Sequence, residues 1–498
     1  MNPNISPMMK RAARSATASV LVLALAACAS SRGLAPEGRL LDAADIHSEK
    51  SLSGVALSPA AWPSQEWWRA LGDPQLDALV AEGLRGSPSL ASAEARLRQA
   101  QAQAGASDAE RRAKLSVSGG YTGLQLPASM VGDELGGHYA GSSQLLLDFS
   151  YGFDLWGGKR AAWEAAVGQV HAAQVDAQAA RLELSAAIVE GYVQLGQAWQ
   201  MLDVANAELA RSQAALELTR QRRSAGIDSD LQVRQAEARV PAAQQQAQAA
   251  QQQIDEARHA LAALLGQGPD RGLAIQRPGL SPLALQLPSV LPADLLGRRP
   301  DVVAARWRVE AAGKDIASAK TRFYPSLNLT LLGGAVNKDV SQLFESASVL
   351  GVVAPALSLP IFDGGKLRAN LAGKDAAYDL AVADYNQKVV GALREVADQV
   401  DAMRSLEAQA SAQAQALATA TSAHELAQQR YRAGIGTYLD VLSVQQQLLA
   451  AQQQMATLQS RQILASVKLR RALGGGFAPE SAAGSAGTDP ATPDSQHS

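Results

Sequence analysis

The sequence predicts an α+β membrane protein built by internal duplication, in which each half contains a strand hairpin followed by two long helices. Three landmarks of the first half, Gly157-Gly158-Lys159, Ala225-Gly226-Ile227 and Leu265-Gly266, recur in the same order at residues 364, 433 and 473. The offset is 207 residues for the first landmark and 208 for the other two. A nearly constant offset indicates two halves of equivalent structure.

Alternating apolar and polar residues predict two strands in each half. They cover about 115–124 and 143–156 in the first half and about 326–335 and 350–362 in the second. Segments of about ten residues with this alternation are typical of membrane-crossing strands, whose apolar side chains face lipid. Because four strands do not close a barrel and lipid does not tolerate open strand edges, the membrane interpretation predicts that several chains assemble.

The setting of the hairpins favours a membrane sheet over an ordinary soluble hairpin packed on helices, which a single alternating segment does not exclude. The hairpins occupy equivalent places in the two halves and end near three aromatic residues, Phe153, Trp156 and Phe362. Aromatic side chains are enriched where a membrane meets water. We therefore expect these residues to mark the membrane interface.

A long helix follows each hairpin. The proline-free segments 159–223 and 366–431 predict helices that each turn back into a second helix, at 230–264 and 438–473. A helix of the first length measures about 100 Å, which exceeds the thickness of a bilayer, so we expect it to extend into an aqueous space. It also carries an apolar residue at every seventh position, which predicts coiled-coil packing: Ile188, Leu195, Leu202, Leu209 and Leu216.

The two reversals between long helices carry matching signals. A glycine suited to ending a helix, Gly226 or Gly434, is followed by a capping-box pattern at Ser229–Gln232 and at Thr437–Asp440. Basic residues precede each glycine, as the negative end of the helix dipole favours. Each pair of helices should therefore run antiparallel.

The first 27 residues predict an export signal, because basic residues precede the apolar run Val20–Ala27. The run Leu25-Ala26-Ala27-Cys28 resembles the bacterial lipobox, in which the cysteine receives acyl chains after cleavage. Cys28 is the only cysteine and has no disulfide partner, so it is the predicted lipidation site. A plain signal peptide cut at a small-residue site is the alternative.

The chain after the signal divides into four segments. Residues 28–72 predict a lipid-anchored N-terminal arm, 73–280 and 281–474 are the two repeats, and 475–498 predict a disordered tail because apolar residues are scarce there. We expect the three tryptophans of the arm to pack it against the body of the protein. They are Trp62, Trp67 and Trp68.

Composition and motifs exclude several classes of function. The formal net charge of -2 gives no basic surface for nucleic acid. The six histidines show no metal-ligand spacing, no glycine-rich phosphate loop follows a strand, and no nucleophile lies in a recognisable elbow. The sequence therefore predicts no catalytic residue, no metal site and no cofactor.

The run Leu-Pro-Ala-Asp-Leu-Leu-Gly-Arg-Arg-Pro-Asp at 291–301, with the hairpins, long helices and lipobox, resembles the TolC-like outer membrane factors over nearly the whole chain. More narrowly, the chain resembles the lipoprotein exit ducts (NodT-type) of resistance-nodulation-division drug efflux systems. The resemblance implies a homotrimer whose strands close a twelve-stranded β-barrel in the outer membrane, continued by an α-helical barrel in the periplasm. It also implies a passive gated conduit for drugs or other small molecules, partnered by a periplasmic adaptor (membrane fusion) protein and an inner-membrane pump.

The resemblance further implies a periplasmic gate near the second reversal, which family members close with a tyrosine, an arginine and two acids. Tyr431 and Asp440 match the tyrosine and the first acid, whereas Gly436 replaces the arginine and Ser443 the second acid. Three copies of Asp440 around a threefold axis would repel one another, raise their pKa values and favour cations. The capping box also explains Asp440, so both roles stay open at this stage.

Two other functions fit parts of the sequence. The exit duct of a type I protein-secretion system has the same architecture, although such ducts usually lack the lipobox and the Arg-Arg-Pro-Asp run. A lipid-anchored periplasmic coiled-coil scaffold, with its strands in a small soluble sheet, is the alternative without a channel.

Overall fold

The computed structural model describes residues 30–42, 57–58, 62–125, 127–132, 137–280, 287–288 and 297–478. The predicted export signal and Cys28 lie outside these residues, as does the tail from residue 479. The chain forms two compact units. The first unit consists of Met1–Leu40, Arg96–Gln174 and Ala304–Asn386, and the second of Leu41–Ala95, Val175–Val303 and Gln387–Ser498.

Seven helices of 13 residues or more lie in the described part of the chain. Three helices of the first half have a counterpart of equal length in the second half. Pro88–Ala109 and Pro300–Thr321 have 22 residues each, Gly158–Ser224 and Lys366–Arg432 have 67, and Asp230–Leu264 and Tyr438–Ala472 have 35. Among the described residues, no helix combines the length and the apolar character that a membrane span requires. The seven are α1 (Pro74–Gly86), α2 (Pro88–Ala109), α3 (Gly158–Ser224), α4 (Asp230–Leu264), α5 (Pro300–Thr321), α6 (Lys366–Arg432) and α7 (Tyr438–Ala472).

The first unit contains a sheet of four antiparallel strands in chain order. The strands are β1 (Lys114–Gln125), β2 (Tyr139–Phe153), β3 (Ser326–Asn337) and β4 (Val349–Ser358). The central pair, β2 and β3, joins the two repeats. β4 ends four residues before the predicted end near residue 362, because Pro360 has no amide to donate to a ladder.

The register places apolar side chains of all four strands on a common face. Phe149 of β2 lies opposite Leu115 of β1 and Leu331 of β3, and Leu331 lies opposite Val353 of β4. Directly opposed residues share a face, so the alternation in the sequence becomes one apolar surface. Leu115 and Val353, on the two outer strands, are 66% and 73% exposed.

The outer strands of this sheet, β1 and β4, are each paired on one side only within the described chain. The sheet therefore has two free edges, each with a row of backbone donors and acceptors. In lipid these groups need partners, because no water is present to satisfy them.

The two reversals of the second unit have the same cap. The Ser229 amide donates to Gln232 Oε1 at 2.8 Å, and the Thr437 amide donates to Asp440 Oδ2 at 2.9 Å. These bonds complete a capping box at the start of α4 and of α7. The preceding long helices end at glycines in the left-handed region, which costs a glycine no strain: Gly226 with φ of 74° and Gly434 with φ of 81°.

The second unit has a hydrophobic core that includes α1, α3 and α4. Trp67 and Trp68 of the arm lie in this core and are 1% and 7% exposed, so their main role is packing. Tyr192 of α3 is also buried there, and its hydroxyl donates to Asp73 Oδ2 at 2.8 Å. This bond satisfies the polar end of a buried aromatic side chain.

The first residues of the predicted tail, 475–478, lie within the described chain and begin with a turn. Gly475 is buried against Leu182, where an added Cβ would lie 2.0 Å from Leu182 Cδ1. Gly476 similarly approaches the backbone of Ser64. Close backbone contact orders this short stretch although it has few apolar side chains.

Arg299 connects three helices of the second unit at the end of the Leu-Pro-Ala-Asp run. Its guanidinium is buried and lies 2.7 Å from Asp301 Oδ2, in the first turn of α5, and 2.7 Å from Glu395 Oε2 of α6. It also donates to the Ala472 carbonyl at 3.2 Å, at the end of α7. Pro300 is the first residue of α5, where its missing amide costs no hydrogen bond.

Candidate functional site

The strongest polar cluster near the helix reversals centres on Tyr431, the predicted gate tyrosine. Tyr431 lies near the end of α6 and is 2% exposed. Its hydroxyl donates to the carboxylate of Asp228, in the other reversal, and lies 3.1 Å from Thr219 Oγ1 of α3. A buried phenol thus joins the second reversal to the first.

Arg222 completes this cluster, which we call the reversal lock and define as Thr219, Arg222, Asp228 and Tyr431. Arg222 Nε donates to Asp228 Oδ2 at 2.9 Å, and both side chains are more than 90% buried. The guanidinium carbon lies 4.3 Å from the centroid of the Tyr431 ring, and Arg222 also donates to the Tyr431 carbonyl. One buried ion pair therefore contacts both the ring and the backbone of the tyrosine.

Burial and hydrogen bonding fix the charge states in the reversal lock. Burial raises the pKa of Tyr431 to about 12, and the bond to Asp228 adds to this effect, so the phenol stays a neutral donor. The hydrogen bond to Asp228 raises the pKa of Arg222 further above its usual value. Arg222 therefore stays a cation at any pH near neutrality.

Asp440, the predicted gate acid, lies outside the reversal lock and caps its own helix. Its carboxylate accepts from the amide of Thr437 at 2.9 Å and from the hydroxyl of Thr437 at 2.7 Å. The amide bond and then the hydroxyl bond hold the pKa of Asp440 below its usual value. Its side chain is exposed, and its role as a gate remains a prediction.

Ser443 and Gly436 hold the two positions at which the family's gate residues are replaced. Ser443 is exposed, and its hydroxyl donates to the backbone carbonyl of Asp440 at 2.9 Å, within one turn of α7. A Cβ added at Gly436 would lie 3.1 Å from Arg430 Cβ. A longer side chain at Gly436 therefore requires movement of the end of α6.

A second buried polar cluster links α3 to α4 and α7 farther from the reversals. Glu208 of α3 is 2% exposed, and its Oε1 accepts from Gln445 Nε2 of α7 at 2.7 Å. Arg211 Nη2 and Arg239 Nη2, the latter on α4, approach the carboxylate at 3.2 and 3.7 Å. Pairing and hydrogen bonds are what make a buried carboxylate tolerable.

The family resemblance points to Tyr431, but no pattern in the sequence points to its partners. Asp228 lies 203 residues before Tyr431, and the sequence gives it no pattern of its own. Arg222 is recognisable only as a basic residue near a helix end, a signal that it shares with Arg223. The burial that distinguishes Arg222 from its neighbour arises only when four helices pack together.

Both reversals expose apolar side chains at equivalent positions. Ile227 and Leu231 of the first reversal are 60% and 65% exposed, and Ile435 and Leu439 of the second are 71% and 67% exposed. The two pairs are offset by the same 208 residues as the repeats. The two reversals therefore present the same pattern of exposed apolar side chains.

Comparison with known proteins places this fold in a family. The sequence model of the family described as outer membrane efflux protein matches residues 79–267 and 291–475. The multidrug resistance outer membrane protein MdtP of Escherichia coli is 32% identical over 442 residues, which are 86% of this chain and 90% of that protein. The fusaric acid resistance protein FusA of Burkholderia cepacia is 37% identical over 385 residues, 74% of this chain and 71% of that protein.

Solved structures agree with the sequence matches. The outer membrane protein VceC of Vibrio cholerae has a TM-score of 0.77 and 36% identity, over 84% of this chain and all of that chain. The prediction of duplicated strand hairpins with long helices, in the fold of TolC-like outer membrane channels, is thereby confirmed. The predicted location in the outer membrane is confirmed as well. The chain belongs to the outer membrane efflux protein family.

Proposed function

We propose that this protein is the outer membrane channel of a tripartite efflux system, a passive gated conduit that exports drugs or other small molecules across the periplasm and outer membrane. The observation that carries the proposal is the sheet of β1 to β4, with its exposed apolar face and two free edges. Such a sheet is stable in a membrane only when other copies pair with its edges. The names of FusA and MdtP, which refer to fusaric acid resistance and multidrug resistance, support export of small molecules.

The assembly that we propose is a homotrimer in which three sheets close a twelve-stranded barrel. Its periplasmic helices bind an adaptor protein, which connects the channel to an inner-membrane pump that supplies energy and selects the substrate. The channel itself catalyses no reaction. Acyl chains on Cys28 anchor each chain, as the lipobox-like run at 25–28 supports.

Drug susceptibility and conductance together test this proposal. A deletion strain should become more susceptible to several small antimicrobial compounds, and the intact gene should restore resistance. The purified protein should form detergent-resistant trimers that conduct ions in planar bilayers. A monomer that never inserts would contradict the channel, and loss of a secreted protein without any change in susceptibility would favour type I secretion.

Asp440 is also proposed to act in the gate, and Asp440→Ala separates this role from capping. We expect higher leak conductance and weaker cation selectivity, because a ring of carboxylates at the reversals would be lost. Loss of the cap alone should lower stability slightly and leave conductance unchanged. Gln232→Ala is the matched control, since Gln232 completes the same capping box in the first reversal without a charge. Equal conductance of Asp440→Ala and Gln232→Ala would show that Asp440 caps its helix and has no role in the gate.

The exposed apolar side chains of the reversals are proposed to contact the adaptor. Leu439→Asp, alone or with Leu231→Asp, should weaken co-purification of the adaptor by about tenfold or more, because a charge replaces a buried apolar contact. Trimer formation and conductance should be retained. Leu273→Asp is the control, because Leu273 is 57% exposed but lies in a short helix away from the reversals. If the double variant binds the adaptor as strongly as the wild type does, the adaptor contacts another surface of the channel.

A further inference from the structure

A groove of about 430 Å³ lies in the first unit, where the sheet meets the helices. Its lining includes the end of β2, the start of β3 and the end of β4, together with residues of α3 and α5. These strand ends are the ones that continue into the helices. In an outer membrane protein with periplasmic helices, this end of the sheet lies at the periplasmic leaflet of the membrane.

Two stacked aromatic rings form one wall of the groove. The rings of Trp156 and Tyr324 are 4.9 Å apart with an interplanar angle of 28°, and both side chains are about half exposed. Trp156 Nε1 donates to the Pro325 carbonyl at 2.7 Å, which fixes the indole. Aromatic rings with a fixed polar edge are typical of the headgroup region of a membrane.

The charges of the groove are arranged to favour an anion. Both acids that line it are already satisfied: Glu110 by Lys114, with a shortest distance of 3.0 Å, and Asp154 by the backbone amides of Lys159 and Arg160, at 3.0 and 2.8 Å. The two remaining charged groups are basic. They are the ammonium of Lys159 and the guanidinium of Arg322.

Neither cation of the groove forms a close ion pair within the described chain, although the charge of Lys159 also acts on Glu110 at longer range. Lys159 Nζ donates to the Gly152 carbonyl at 2.9 Å, and Gly152 leaves room for it, since an added Cβ would lie 2.7 Å from that nitrogen. Arg322 is exposed, and no ion pair occupies its guanidinium among the described residues. Lys159 is thus held in place, whereas Arg322 is available to a ligand.

The geometry points to a binding site for the phosphate of an anionic phospholipid of the periplasmic leaflet. Arg322 and Lys159 supply charge-assisted donors to the phosphate, and the stacked rings of Trp156 and Tyr324 flank the headgroup. Large apolar side chains for the acyl chains are exposed beside the groove. They are Leu155, Ile361 and Phe362, which are 55%, 56% and 90% exposed.

Native mass spectrometry of the full-length trimer with phosphatidylglycerol, phosphatidylcholine or inorganic phosphate tests this site. The wild-type trimer should retain phosphatidylglycerol most strongly. Arg322→Gln should lower the apparent affinity of the trimer for phosphatidylglycerol by about tenfold, as expected for loss of one charge-assisted bond to a phosphate. Adding Lys159→Gln should lower this affinity further. Arg306→Gln is the matched control, because Arg306 is an exposed arginine of α5, the helix that ends just before Arg322, and it pairs with Glu310.

Three results would overturn the site. They are equal retention of phosphatidylglycerol by wild type and Arg322→Gln, equal binding of inorganic phosphate and lipid, and a wild-type trimer that retains no lipid because a neighbouring copy covers the groove. Conductance and heat-modifiability are measured on the same samples. A trimer that conducts normally without binding lipid would reject this site alone and leave the proposed channel intact.

Discussion

Replacing Asp228 with asparagine should open the channel more than any other single change at the reversals. The substitution would leave Arg222 as a buried guanidinium without a counter-charge, and breaking a buried ion pair in this way costs about 3–5 kcal/mol. The substitution therefore destabilises the arrangement in which Tyr431 joins the two reversals. A change of this size in the free-energy difference between the closed and the open channel shifts the ratio of closed to open channels on the order of a hundredfold or more. The measurement is leak conductance in planar bilayers, with entry of a large hydrophilic antibiotic into intact cells.

Asp230→Asn provides a matched control for this experiment two residues along the chain. Asp230 pairs with Arg223 at 2.8 Å, but both side chains are well exposed, so water screens the pair and its loss should change the leak little. Tyr431→Phe should give an intermediate leak, because it removes the hydroxyl and keeps the ion pair. A closed channel in Asp228→Asn, in trimers that remain intact, would show that the reversal lock does not hold the gate.

Replacing Arg299 with methionine should cause a large loss of stability. The substitution removes the cation that neutralises two acids and leaves Asp301 and Glu395 without their partner. We expect a loss of about 2–3 kcal/mol, less than for a fully buried pair because the side chains of Asp301 and Glu395 are 38% and 45% exposed and water screens their charges. The loss should be seen as a lower temperature for dissociation of the trimer in detergent. Arg298→Met is the control, since Arg298 lies 4.7 Å from the Trp62 ring and its loss costs about 1 kcal/mol. Equal melting of the two variants would argue against the buried pair.

The same pair should make stability depend on pH. Burial opposes ionisation of Asp301, but the hydrogen bond and charge of Arg299 outweigh it and hold the pKa of Asp301 below its usual value. A carboxyl with a lowered pKa in the folded state contributes stability that is complete above its unfolded pKa and is lost as the pH falls through its folded pKa. Wild-type trimers should therefore lose stability in acid. Arg299→Met should show a flatter acid dependence, and an identical slope in both proteins would contradict this account.

The sequence predicts more of the fold than of the candidate site. Strand alternation and capping signals are local, so the sheet and the reversals can be inferred from short stretches such as Thr437–Asp440. The contact between Arg299 and Glu395 spans 96 residues and that between Asp228 and Tyr431 spans 203. Such pairs depend on which faces of four packed helices meet, and the charge pattern of one helix does not determine that.

The predicted gate residues illustrate this difference. Tyr431 matches a family position and is buried in a polar cluster, whereas the bonds of Asp440 and Ser443 in a single chain stay within α7 and its cap. A role for these two residues in the gate depends on contacts between copies, which a pattern within one chain does not encode. The conductance of the Asp440→Ala variant tests directly whether Asp440 has a role in the gate.

The equal helix lengths of the two repeats have a consequence for the symmetry of the proposed trimer. Three chains with two like halves give six similar reversals, so the assembly is pseudo-sixfold in its backbone and only threefold in its side chains. Neutral Gln232 and acidic Asp440 then alternate around the axis. The proposed ring therefore alternates between neutral and acidic residues at this position, so a single substitution acts at three places and leaves the other three unchanged.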